Sequence, residues 1–295
     1  MKKSLYIISA LLINASTLLA QSEKISVKAP GFARPLVEKL VSEYTKQHPD
    51  ANIEIVKGKT EDAAHTLQFT AEGGDINIAR YAVVPVTASG SDAEQLLQSS
   101  HLNAKQLRNL FFVKDEFADE EHKESKAEKA VHIYTGNSQQ SVARAYASRF
   151  NQEATNYKGK KISGDDSFLN IAISRDPLGV TINALSNVYD LKSRKLAGNL
   201  AIVPLDLDKQ GRQVFHQGNL DEIISLLERE EFKEIPVGNL GLAYNHADTR
   251  QNDFVHWILT EGTKYAHEYG LLNLSQKEQT AQLERTQDAG FLSCL

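Results

Sequence analysis

The chain has 295 residues, a single cysteine, a single tryptophan and a formal net charge of −5. One cysteine excludes an internal disulfide and a cysteine-built zinc site, and the acidic excess argues against a nucleic-acid binder, which carries a basic one. Hydrophobic residues at 41% and charged residues at 24% exclude wholesale disorder and fit one large or two smaller folded domains.

Residues 1–20 read as a secretory leader. Lys2 and Lys3 come first, a short apolar stretch covers 5–13, and Ser16, Thr17 and Ala20 supply small residues, with cleavage expected after Ala20. Asn14, Ser16 and Thr17 interrupt the stretch, which is too short for a membrane span. No cysteine follows it, so no lipid anchor is expected. The sequence thus predicts a mature protein that is periplasmic or otherwise secreted, free of the membrane. Losing Lys2 and Lys3 takes the charge from −5 to −7.

Residues 25–29 begin with an apolar/polar alternation and predict a strand, broken by Ala-Pro-Gly-Phe at 29–32. Leu36, Val37, Leu40, Val41 and Tyr44 then recur at helical spacing, Pro35 suits a first turn, and His48-Pro49 ends the helix. Residues 52–56 alternate again. This strand–helix–strand unit predicts parallel pairing.

Residues 57–75 are polar and weakly patterned. A long β-branched strand is predicted at 76–87 and a helix at 102–112, with Asn103 as its cap. The charge-dense stretch 114–129 reads as a solvated excursion. A strand at 131–134, a turn at 135–138 and a helix at 142–150 follow. Short strands are expected at 169–173, 179–182 and 200–205, and a helix capped by Asn219 at 220–227. A strand at 235–244, a helix at 254–269 ended by Gly270, and a polar helix at 276–285 complete the pattern. Alternating strands and helices predict an α/β fold.

Enzyme signatures are missing. There is no Gly-x-Ser-x-Gly elbow and no His-Glu-x-x-His helix. Gly58-Lys59-Thr60 lacks the upstream glycine of a phosphate loop, because position 53 is Ile. His256 and His267 stand eleven positions apart, unsuited to a metal pair. Asp165-Asp166 lies in a Gly-Asp-Asp-Ser turn and reads as a turn or cap. Cys294, next to last, gives at most an intermolecular contact. No catalytic residue, cofactor or metal is expected.

Two strand–turn–helix junctions have small or polar turns, at 29–34 and 134–142. A helix start offers unpaired N–H groups and the positive end of the helix dipole, which suits an anion. Gly31 would let the first junction's backbone come close to a ligand. Thr135, Asn137, Ser138 and Ser141 supply neutral donors at the second. The same residue types also cap and turn, so both uses stay open.

Four stretches in order extend this picture. They are Ala-Pro-Gly-Phe-Ala-Arg-Pro-Leu-Val-Glu-Lys-Leu (29–40), Gly-Gly-Asp-Ile (73–76), Leu-Asn-Ala-Lys-Gln-Leu-Arg-Asn-Leu-Phe (102–111), and 254–274 from Phe-Val-His-Trp to Leu-Leu-Asn-Leu. Together the chain resembles the phosphate-binding component of bacterial ABC transporters, within the type II periplasmic binding-protein superfamily. The resemblance implies two α/β lobes, each a mixed sheet flanked by helices, with the ligand in the cleft between. Residues 83–87 and 236–244 would be the crossing segments. Lobe one would hold 21–82 and 245–295, and lobe two 88–235. Gly31 and Phe32 match the family's phosphate-contacting loop, and Asp75 its acidic residue, which accepts the proton of hydrogen phosphate. The second loop departs from the family pattern: Tyr-Thr-Gly-Asn-Ser-Gln-Gln-Ser-Val (134–142) lacks the arginine, and Ser141-Val142 replaces Gly-Thr. Arg34, Arg80 and Arg144 are the candidate substitutes.

The expected function is an extracytoplasmic solute-binding protein, monomeric, that captures phosphate or a similar oxyanion for an ABC permease. The alternative is a secreted interaction or sensing module on the same fold, motivated by the altered 134–142 loop and the charged 114–129 stretch.

Overall fold

The structure is a computed structural model and describes residues 24–58, 64–113 and 124–292, with side chains described up to Thr286. The leader, most of the Gly-Lys-Thr fragment, residues 114–123 of the charged excursion and Cys294 lie outside the described residues.

The strands are β1 (Ile25–Lys28), β2 (Ile53–Ile55), β3 (Thr66–Thr70), β4 (Ile76–Ala88), β5 (His132–Gly136), β6 (Lys160–Ile162), β7 (Gly179–Ala184), β8 (Leu200–Ile202) and β9 (Val237–Ala243). The helices are α1 (Arg34–Gln47), α2 (Asp92–Leu97), α3 (Ala104–Phe111), α4 (Lys126–Ala130), α5 (Ala143–Arg149), α6 (Ser167–Ser174), α7 (Leu185–Val188), α8 (Lys209–Gln217), α9 (Leu220–Arg229), α10 (Thr249–Trp257) and α11 (Gln276–Leu292).

Among the described residues the strands form one mixed sheet in the order β2-β1-β3-β9-β4-β7-β5-β6, with β8 also on β4. β1 pairs parallel with β2, as the strand–helix–strand reading expects, and parallel with β3. The 13-residue β4 runs through two neighbourhoods. Its first half, Ile76 to Ala82, pairs antiparallel with β9, and its second half, Val83 to Ala88, pairs antiparallel with β7 and β8. Val83 N–H donates to Pro236 O at 2.9 Å, so the segments 83–87 and 236–244, each carrying a Pro-Val pair, meet where the pairing changes. One continuous apolar core runs through both halves, from Val27 and Leu36 to Ile182 and Ile224.

Local sequence explains most elements. α1 buries Leu36, Val37, Leu40 and Tyr44 and carries a proline in its first turn. α3 starts with a full capping box between Asn103 and Gln106. Asn219 caps α9.

Four readings need correction. Residues 169–173 are helix rather than strand: they lie in α6, where Leu169 and Ile173, four apart, are buried while Phe168 and Ile171 remain exposed. A short apolar run fits both periods, and burial on one helical face decides it. β3 was hidden in the polar 57–75 stretch, yet Leu67 and Phe69 alternate with Thr66, Gln68 and Thr70 and are fully buried. The strand expected at 200–205 stops at Ile202, and Val203 is the last residue to donate to β4, since Pro204 has no N–H. The helix expected at 254–269 begins at Thr249 and leaves α geometry at Ile258, through a π turn and two 3-10 turns, before Gly270 turns left-handed at φ 74°.

Candidate functional site

The first junction runs from β1 through a 3-10 turn, Gly31–Ala33, into α1. Phe32 is buried, its ring 4.5 Å from that of Tyr81, and its carbonyl accepts a hydrogen bond from Ser186 Oγ at 2.9 Å. The second junction runs from β5 into the seven-residue α5. Here Asn137 is exposed and donates to Ser163 Oγ at 3.2 Å, and Ser138 Oγ accepts from Gln140 N–H at 3.1 Å. Thr135 is fully buried and its Oγ1 has no partner. Gln140 reaches across the molecule to accept from Ala71 N–H at 3.2 Å, so the second junction touches the end of β3.

The donors at the start of α5 are already used. Asp166 is buried, and its carboxylate accepts from Ser141 Oγ at 2.7 Å and from Val142 N–H at 2.8 Å. The backbone that carries it is fixed in turn, because Asn183 Nδ2 donates to Asp166 O at 2.8 Å. Burial pushes the Asp166 carboxyl up to about 6, against the pull of those two hydrogen bonds. Asp165 holds its own turn by accepting from Ser167 N–H at 2.9 Å. Its carboxylate also lies against Gly31, where an added methyl group would overlap it. A methyl group on Gly136 would overlap Ser141 Oγ and Asp166 Oδ1 in the same way. The Asp165-Asp166 turn therefore sends one carboxylate to each of the two junctions.

Asp75 stands elsewhere, with its carboxylate accepting from Tyr244 N–H at 3.0 Å and 3.4 Å from His246 Nε2. It lines a cavity of about 440 Å³ together with Glu72, Asn77, Arg149, Asn239 and Arg285. The turn between β3 and β4, with Gly73 and Gly74 at φ 77° and 108°, forms one wall. Glu72 is the acidic group that the sequence reading passed over. Burial raises its carboxyl and Arg144 opposes the rise. Of the candidate arginines, Arg80 is committed to Asn273 O at 3.0 Å, Arg144 faces Glu72, and Arg34 opens α1. The two arginines on the cavity are Arg149 and Arg285, which no motif marked. His256 is exposed, and His267 is paired with Glu228. Among the described residues no cluster of His, Cys, Asp or Glu could hold a metal ion, and no helix is long and apolar enough to cross a membrane.

No known family model matches the chain, and no curated protein matches it in sequence. Solved structures do match. One, described as a phosphate ABC transporter substrate-binding protein with bound phosphate from Clostridium perfringens, is 11% identical, with a TM-score of 0.52 over 85% of this chain and 100% of the other. Another, an ABC-type phosphate transport receptor from Vibrio cholerae, is 12% identical, with a TM-score of 0.50 and the same coverage of both chains. The fold is that of the type II periplasmic binding proteins. At such identity the likeness carries the fold and no residue's role.

Within this binding-protein fold, a polar clamp joins α9 and the 185–196 segment to residues 267–273. Arg194 donates to Asp221 and to the carbonyls of His267 and Glu268. Glu228 accepts from Asn273 N–H at 2.6 Å and pairs with His267 Nε2 at 2.7 Å. That contact raises the His267 imidazole, and against the upward push of burial it helps to hold the Glu228 carboxyl low.

Proposed function

We propose that the protein is an exported solute-binding protein that captures a small oxyanion, phosphate or a relative, for an ABC importer in the membrane. One observation carries this reading. The cavity beside Asp75 draws its walls from both prospective lobes: Glu72, Asp75, Asn77 and Arg285 on one side, Arg149 on the other, and Asn239 on a crossing segment. We divide the lobes as 21–82 with 245–295 and 88–235, crossing at 83–87 and 236–244.

The cavity chemistry suits a partly protonated oxyanion. Arg149 and Arg285 supply the positive charge. Asp75 can accept the proton of hydrogen phosphate, and burial, which raises the Glu72 carboxyl, brings a second acidic group to the same wall. Selection for the protonated species follows. The junction residues Gly31, Phe32, Thr135, Asn137, Ser138 and Ser141 stand outside the lining of this cavity, so we give them no contact with the solute. The protein would act as a periplasmic monomer with no covalent chemistry, and the names of its structural neighbours support a transport role.

Equilibrium dialysis against labelled phosphate at neutral pH tests the reading. Binding tighter than millimolar is expected, and Arg149→Ala should weaken it at least about tenfold. No binding below millimolar would reject it. The filled junctions favour a second reading, an interaction or sensing module. Co-purification of a membrane partner from phosphate-free cells, with no solute bound, would select that reading.

A further inference from the structure

The Asp165-Asp166 turn raises a question that the solute reading leaves open: why does the chain place its own carboxylates at the two positions best suited to an anion? The two glycines beside them give the answer. Neither Gly31 nor Gly136 has a positive φ, so neither backbone requires glycine. What a side chain would destroy in each case is room for a carboxylate: Asp165 at Gly31, and Asp166 with Ser141 at Gly136. Gly31 and Asp165, from distant parts of the chain, are thus fitted to one another, as Gly136 is to Asp166.

We infer that the Asp165-Asp166 turn is an internal ligand, which takes the place of a solute at both junctions and holds the two lobes closed when no solute is present. This rests on the lobe division given under the proposed function. Asp166 belongs to its own lobe and is fixed by Ser141, Val142 and Asn183. Asp165, the next residue, spans to Gly31 in the other lobe. Three further contacts close the same seam: Ser186 to Phe32, Gln140 to Ala71, and the Arg194–Glu228 clamp on residues 267–273. A solute shifts a conformational equilibrium only by its differential affinity for the two states. In this protein closure is already satisfied from within, so solute binding to the side cavity produces little movement. A membrane partner that reads the closed face would find it presented at all times.

The experiment reads lobe separation rather than binding. Spin labels at Ser42→Cys on α1 and Gln95→Cys on α2, both exposed positions, are introduced in a Cys294→Ser background. The otherwise unchanged protein should give one narrow distance distribution, the same with and without millimolar phosphate. Adding Asp165→Ala with Asp166→Asn should lengthen and broaden it in the absence of phosphate. Should that pair fail to fold, Asp165→Ala alone, at a half-buried position, or Gly31→Ala, which crowds the carboxylate out, should give the same change. A long distance in the solute-free parent that shortens on adding phosphate would overturn the inference, as would variants that keep the parent distance. A closed parent that binds no phosphate would reject the solute reading and leave the inference standing.

Discussion

The two junctions and the cavity beside Asp75 are made of similar material and end up in different states. The junctions have small residues, backbone donors and helix starts, yet Asp165 and Asp166 occupy them. The cavity has no helix start of its own; a two-glycine turn, two arginines, two carboxyl groups and the amides of Asn77 and Asn239 line it, and among the described residues no carboxylate fills it as Asp165 and Asp166 fill the junctions. The difference teaches that donor chemistry in a sequence marks where an anion can sit, but tertiary packing decides whose anion it is.

Breaking the filled region should produce the largest effect. Asp166→Ala leaves Ser141 Oγ and Val142 N–H buried without their partner, and should cost about 2–4 kcal/mol in urea unfolding. Asp165→Ala, at the half-buried end of the same turn, should cost less than about 1 kcal/mol. Equal losses would refute the assignment of Asp166 as anchor and Asp165 as reach.

Ionisation sharpens the same contrast. The folded-state value of Asp166 is raised from 3.8 to about 6, so its protonated form favours folding. That contribution is present in full below 3.8 and is lost as pH rises through about 6. Asp166→Asn removes the titration. Its stability relative to the parent should therefore improve between pH 4 and pH 7, by up to about 3 kcal/mol. A pH-independent difference would show that Asp166 does not titrate in this range.

The open region should respond in binding and hardly in stability. Asp75→Ala is expected to weaken phosphate binding by about tenfold while moving the unfolding free energy by less than about 1 kcal/mol. Unchanged affinity would remove Asp75 from the site. The smallest effect belongs to the clamp. His267 is only half-buried, so His267→Gln should lower stability slightly at pH 6, and the loss should shrink as pH rises through the range in which the raised imidazole gives up its proton.

Much of the fold could be read from the sequence because its signals are local. The alternation at 25–29, the stripe from Leu36 to Tyr44 and the β-branched run at 76–87 each state their own period. β3 escaped because only Leu67 and Phe69 carry its pattern, between polar flanks. α6 escaped because five residues at 169–173 fit either period. The site was harder for a different reason. Gly31 and the 134–142 donors could be recognised by residue type, but Asp165 meets Gly31 from 134 positions away, and Arg149 and Arg285 reach one cavity from separate helices. No spacing rule connects such residues; only the closure of the sheet around β4 does.

The central claim is that an oxyanion binds the open cavity and not the filled junctions. Equilibrium dialysis with labelled phosphate, run side by side on the unmodified protein, Arg149→Ala and Asn137→Ala, tests it most directly. The account predicts binding tighter than millimolar in the unmodified protein and in Asn137→Ala, and a loss of at least about tenfold in Arg149→Ala. Phosphate binding that survives Arg149→Ala and disappears with Asn137→Ala would contradict it.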